Sequence, residues 1–294
     1  MPSQTNPPAP APRTPHTHIE HGVIRSDPYG WLADAGNPDV LAHLSAERSF
    51  YDASSIHLEP LTSTLRTEML SRLPGTDESS RWARKRFTYW TRHNVNSEYA
   101  ELWRLNHGST AGSTTESESF LDIASLDAGT GYLDVGITLV SPDEDLLAYS
   151  VDTAGDEVFE LRFRDLRTGE DLADRVPRSY YGGAWSADSS AFLYTVHDDA
   201  YRPFQVWRHR LGSPPEDDVL VLEEPDEKFS VNLRSTRSGE LIVIWSESRS
   251  TSEAWVLEAA DPESRPLSVG GRLHGLVYRV EHAPAPGGAR VVIG

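Results

Sequence analysis

Eight short runs between residues 86 and 259 alternate apolar with polar positions or are apolar throughout, and turn residues separate them. They read RFTYWTRH (86–93), AELWRLN (100–106), LLAYSVD (146–152), VFELRFRDL (158–166), AFLYTVHD (191–198), FQVWRHRLG (204–212), ELIVIWSES (240–248) and EAWVLEA (253–259). A period of two over stretches this short is the mark of strands, so this part of the chain is predicted to be all β. Upstream the period changes. Val40, Leu41, Leu44, Leu58, Leu61, Leu65, Met69 and Leu70 recur at steps of three and four, the spacing of one helix face. Asn37 before Pro38 supplies a cap with proline in the first turn, and two helices are predicted with a break near Ser54 to Pro60. Ahead of them, Pro2 to Pro15 is largely Pro, Ala and Thr, too poor in apolar surface to fold alone. The resulting division is a disordered tail (1–14), an extended and helical segment (15–73) and a β domain (74–294).

The strands repeat as a unit. SPDEDLLAYSVD begins at Ser141, SADSSAFLYTVHD at Ser186 and STRSGELIVIWSES at Ser235, and each is followed by a second strand such as VFELRFRDLRTGE. A period of 40 to 50 residues with about four strands per unit predicts a β-propeller, in which each blade stacks on its neighbours. Ser-Pro-Asp and Ser-Ala-Asp suit the hairpin turn before an apolar strand, and Asp165 to Gly169 suits an outer hairpin whose last glycine takes positive φ. These serines and aspartates are therefore read as turn formers.

Composition narrows the chemistry. The absence of cysteine excludes disulfides, thiolate nucleophiles and cysteine metal sites. A formal charge of −18, with lysine only at Lys85 and Lys228, argues against a nucleic-acid partner, because phosphate binding needs clustered cations. A cationic ligand suits the chain better. No apolar run approaches a membrane span, and MPSQTNPPAPAPRTP lacks the apolar core of a secretory signal; no membrane partner and a cytoplasmic location are expected.

PHTHIEHGVIRSDPYGWLAD (15–34), with His21-Gly22 and Asp27-Pro28-Tyr29-Gly30-Trp31-Leu32, resembles the start of the prolyl oligopeptidase family of serine peptidases. The likeness continues in order through residues 141–170, RPFQVWRHRLG (202–212) and TSEAWVLEA (251–259), the last two leaning towards oligopeptidase B. It covers residues 15 to about 282. The resemblance implies a mainly β fold: an incomplete propeller of about four to five blades, out of the family's seven, preceded by the helical segment. It also implies that the segment 15–73 packs on an α/β-hydrolase domain, with Asp27, Pro28, Tyr29 and Trp31 in a structural role and the two aromatics as anchors. The alternative for those aromatics is that they cover the local helices.

The chain departs from the family in holding no Gly-x-Ser-x-Gly, the elbow that carries the serine. No catalytic residue is assigned within it, and the missing hydrolase domain is its expected partner. The function implied is that of the propeller portion of a serine-type endopeptidase acting on short peptides after Arg or Lys, with the propeller restricting access and this portion inactive alone. The alternative is a non-enzymatic propeller serving as a binding scaffold. Glu157 is the candidate substrate-binding residue, since a carboxylate at the domain interface would orient a cationic peptide; the bland alternative is a solvated charge. His16, His18, Glu20 and His21 could supply metal ligands, but the stretch is extended and no scaffold supports them, so no metal and no cofactor are expected. Asp143 with Asp145, or Asp217 with Asp218, would suit a glycosidase only if opposed across a sugar.

Overall fold

The predicted strands pair in the order in which they occur. The computed structural model describes residues 7–94, 97–107, 117–127, 129, 131–283 and 290–294, and the chain divides into two units, residues 1–74 and 75–294.

In the first unit, Thr17–Glu20 and Val23–Ser26 form an antiparallel pair, turned at His21 and Gly22 with φ of 51° and 78°. Helix α1 (Pro38–Ser55) begins where Asn37 Oδ1 accepts the Asp39 N–H at 2.9 Å, and a short 3-10 turn (Ile56–Leu58) separates it from helix α2 (Glu59–Ser71). The break thus falls where Pro60 interrupts the pattern, since proline cannot donate within a helix interior. Val40 is buried, whereas Leu41, Leu44, Leu61, Leu65 and Met69 are exposed.

The second unit is a succession of antiparallel sheets. Blade 2 runs Asp134–Val140, Leu146–Asp152, Phe159–Asp165 and Asp171–Ser179. Blade 3 runs Gly183–Trp185, Ala191–His197, Pro203–Arg210 and Val219–Glu223. Blade 4 runs Ser230–Ser235, Leu241–Glu247, Ser252–Glu258 and Leu267–Val269. Each is a meander in sequence order. In blade 1 the inner position is filled by two pieces, Thr76–Glu78 and Trp82–Ala83, which both pair with Phe87–Asn94; Ala100–Asn106 and Ser117–Asp122 follow. A two-stranded sheet, Val280–Ala283 with Arg290–Ile293, comes after blade 4. This is the partial propeller expected: four blades and two strands of a further sheet among the described residues.

The cores lie between blades. Ile137, Leu161 and Phe163 of blade 2 pack with Trp185, Phe192 and Tyr194 of blade 3. Leu193 and Val206 of blade 3 pack with Val231, Ile242 and Ile244 of blade 4. Burial on both faces explains why the second strand of each blade is apolar almost throughout.

The repeated turns are built as their residues predict. Ser141 and Ser186 each donate a hydroxyl to the aspartate two residues on, at 2.5 and 2.6 Å, and each accepts the N–H five residues on. Thr236 accepts the Leu241 N–H and bonds Ser238, so the third turn is centred on Thr236, one residue later than the sequence repeat placed it. Left-handed backbone recurs at one turn position, with φ of 63° at Glu144, 59° at Ser189 and 73° at Gly239. The outer hairpin also follows expectation: Gly169 takes φ 77°, and its N–H bonds the Asp165 carbonyl at 2.8 Å.

Candidate functional site

Every blade has two ends. At one, the second strand turns into the third and the outer strand leads to the next blade; Glu157 lies there, in the loop that leaves blade 2 at Asp152. Asp152 is buried and accepts the N–H groups of Ala154, Gly155 and Glu157 at 2.7 to 2.8 Å. Those three bonds tie the loop into a tight curl that gives Gly155 a φ of 80° and Glu157 a φ of 56°. A non-glycine residue held left-handed costs on the order of 1 kcal/mol, and such positions gather at sites of function. The curl rests on Tyr132, whose ring lies 3.6 Å from where a Gly155 Cβ would sit.

Aromatic side chains frame the carboxylate. Tyr180 donates its hydroxyl to Glu157 Oε2 at 3.1 Å; burial first, and the carboxylate second, push its pKa up to about 12. The Tyr181 ring lies 4.7 Å from Tyr180 and 5.0 Å from Phe159. Beyond Tyr180, the His197 ring is 5.1 Å away, with Tyr201 stacked on its far side at 4.9 Å. Tyr132, Tyr181 and Tyr201 are nonetheless exposed in part. Partial desolvation raises the Tyr132 and Tyr181 pKa values above the ordinary phenol value, with Asp134, Asp152 and Glu157 adding to the rise.

Several carboxylates of blade 2 are paired with arginines, whereas Asp156 and Glu157 in the loop pair with none among the described residues. Glu160 pairs with Arg162 at 2.7 Å, Asp165 with Arg167 at 2.8 Å and Asp171 with Arg164 at 2.8 Å. Glu157 is exposed and pairs with no cation among the described residues. A carboxylate has room for about four hydrogen bonds, and Tyr180 takes one. The part-exposed tyrosine rings beside it could add cation–π attraction for a guanidinium or ammonium group. The arrangement can hold a cation; it offers no nucleophile paired with a base.

The other residues singled out from the sequence have structural partners. Asp27 Oδ1 accepts the Tyr29 N–H at 2.9 Å, the Thr14 N–H bonds the Pro28 carbonyl, and Trp31 Nε1 donates to the Pro12 carbonyl at 2.9 Å. Trp31 also lies 6.2 Å from His43 of α1. Gly30 is required by a close approach, since a Cβ there would come within 2.7 Å of the His16 ring. Of the predicted tail, residues 1–6 lie outside the described residues. His16 and His18 sit with rings 6.3 Å apart. Asp143 and Asp145 are occupied by their turn and by Arg86 at 2.8 Å, while Asp218 faces buried His209. Neither pair opposes its carboxylates across open space.

Pattern reading nominated Glu157 and did not anticipate the tyrosines around it. The doublet Tyr180-Tyr181 stands in the connection between two repeats, and Tyr201 stands in blade 3 where the Glu157 loop stands in blade 2. Comparing loop positions across repeats would have assembled them.

The comparisons with known proteins agree with this architecture. Residues 9–285 match the family model described as prolyl oligopeptidase, N-terminal beta-propeller domain. The chain is 34% identical to Protease 2 of Moraxella lacunata over 92% of its own length and 40% of that protein. It is 33% identical to dipeptidyl aminopeptidase BI of Pseudoxanthomonas mexicana, over 85% of the chain and 37% of that protein. It superposes on oligopeptidase B from Trypanosoma brucei with a TM-score of 0.85 and 30% identity, covering 96% of this chain and 42% of that one. On oligopeptidase B from Leishmania major the TM-score is 0.86, at 26% identity. The chain spans about 40% of the length of these two curated relatives.

Proposed function

Because the chain belongs to the prolyl oligopeptidase family, as its N-terminal propeller portion, we propose that it serves a serine-type oligopeptidase by admitting short cationic peptides to the hydrolase domain. The observation that carries the reading is the exposed Glu157 carboxylate, with no ion pair among the described residues, held by the Tyr180 hydroxyl beside part-exposed tyrosines. Peptides with Arg or Lys are the ligands this chemistry suits, and the cleavage preference proposed is after those residues. The helical segment 15–73 is the part proposed to dock on the hydrolase domain, its exposed leucines on α1 and α2 supplying the apolar surface. Alone, the 294 residues are proposed to be inert as a peptidase, since the sequence holds no Gly-x-Ser-x-Gly elbow and, among the described residues, no carboxylate orients the histidine of the Ser238–His282 contact.

The test is calorimetric titration of the chain with acetyl-Gly-Arg-Arg-amide and with its citrulline analogue, which keeps the shape and removes the charge. An exposed ion pair is worth up to about 1 kcal/mol, so Glu157→Gln is expected to weaken the Arg peptide about two- to fivefold and leave the citrulline peptide unchanged. Equal binding of the two peptides, or an unaffected Glu157→Gln, would remove Glu157 from the proposal. Chromogenic Arg-linked and Pro-linked peptides test the rest: the chain alone should cleave neither. A product that also carries the Ser, Asp and His domain should favour the Arg-linked one.

A further inference from the structure

The opposite end of the propeller has the reverse chemistry. There the inner strands of four blades run out into their turns around a cavity of about 730 Å³, within the range that takes a small organic ligand. Arg84, Lys85, Arg234 and Arg237 all line it, and no carboxylate does, in a chain with 45 acidic residues against 27 basic ones. Arg84 donates to the Val140 carbonyl at 2.9 Å and Lys85 to the Pro142 carbonyl at 3.3 Å, contacts that fix the side chains without neutralising them.

Carboxylates lie behind the wall, and two of them touch the lining cations. Both Glu144 oxygens are taken by the backbone N–H groups of Lys85 and Arg86, with Arg84 3.9 Å away. Glu281 pairs with Arg234 at 3.4 Å and accepts the Arg237 backbone N–H. The Arg237 guanidinium has no hydrogen bond or ion pair among the described residues. Arg84 and Arg234 thus face carboxylates behind the wall, and Lys85 and Arg237 are the lining cations without an ion pair among the described residues.

A second observation points the same way. Tyr89 lines the cavity and is 1% exposed, yet its hydroxyl has no hydrogen-bond partner among the described residues. Buried polar atoms are nearly always satisfied, and an orphan calls for a missing partner. A phenol has a proton to give, and a carboxylate oxygen is one acceptor that would take it. Trp82 and Trp185 supply aromatic wall beside it.

We infer that this end of the propeller binds an organic carboxylate with an apolar body, such as the free C-terminus of a short apolar peptide, with Arg237 and Arg84 meeting the carboxylate and the tryptophans the body. It is a second site, of opposite charge to the Glu157 end and independent of it. The probes are acetyl-Leu-Phe as the free acid, its C-terminal amide, and inorganic phosphate, titrated into the chain by calorimetry and by tryptophan fluorescence. The free acid is expected to bind saturably, at least tenfold more tightly than the amide or phosphate. Arg237→Ala, at an exposed position, and Tyr89→Phe, which removes only the hydroxyl, should each weaken it about fivefold or more. Glu157→Gln should leave it unchanged, so the two sites succeed or fail separately. Acid and amide binding alike, phosphate matching the acid, or no effect of Arg237→Ala and Tyr89→Phe would overturn the inference.

Discussion

His209 is fully buried on the third strand of blade 3, between two carboxylates. Its Nδ1 lies 2.7 Å from Asp218 Oδ1 and its Nε2 3.1 Å from Asp174 Oδ1, and its ring stacks on Phe163 at 5.5 Å. Tyr194 donates its hydroxyl to the other Asp218 oxygen at 2.8 Å, and the Gly212 N–H bonds Asp174. Only the imidazolium form donates from both nitrogens. Burial opposes that charge, but the bonds and charges of Asp218 and Asp174 outweigh it, and the His209 pKa rises above 6.5. The folded state therefore holds a proton that the unfolded chain releases near pH 6.5. The contribution is complete below that pH and is lost as pH climbs to the folded pKa, with a slope of about −1.4 kcal/mol per pH unit in between. Replacing His209 with leucine strands two buried carboxylates, a loss of about 3–5 kcal/mol. For a unit of this size that lowers the melting temperature by roughly 6 to 20 °C. The assay is urea unfolding followed by near-ultraviolet circular dichroism from pH 6 to 9. The triple variant His209→Leu, Asp174→Asn, Asp218→Asn serves as the non-titrating reference. A constant difference between wild type and the triple variant across that range, or a cost below about 1 kcal/mol for His209→Leu, would refute the argument.

Two further perturbations test how the blades are joined. Gly183 stands where a Cβ would come within 2.5 Å of the Phe192 ring, so Gly183→Ala should overpack the junction of blades 2 and 3 and cost about 1–3 kcal/mol in a thermal melt; a neutral result would mean that Phe192 moves freely. Glu144 is 1% exposed and holds two backbone N–H groups of blade 1. Glu144→Asn keeps a residue that tolerates left-handed φ but is too short to reach, and charge-assisted bonds of this kind put the loss at about 2–4 kcal/mol. Amide exchange at Lys85 and Arg86 should quicken in that variant, and unchanged protection there would count against the tie.

The local order of the chain was legible because its signals are local. The second and third strands of each blade are sandwiched between neighbours, so their apolar runs stand out; 100–106 and 146–152 coincide with strands to the residue. The inner and outer strands did not stand out. Gly183–Trp185 is three residues long, and Val219–Glu223 has no buried position, so neither carries the alternation that burial imposes. Turn chemistry, with Ser141, Ser186 and Gly169 satisfying their own backbones, needs only neighbours in sequence and was readable for that reason.

What tertiary structure alone decided is which distant groups meet. Asp174, His209 and Asp218 come together through the stacking of one blade on the next, and a carboxylate pair in sequence, Asp217 with Asp218, turned out to be split by it. Glu157 became distinctive only once Tyr180 and Tyr181 arrived beside it from the following connection. The cationic cavity at the other end draws on four turns spread from residue 84 to residue 237, each unremarkable alone. Periodicity reports how a segment is buried, and so determines elements and their repeat; a site depends on the relative placement of repeats, which no single segment encodes.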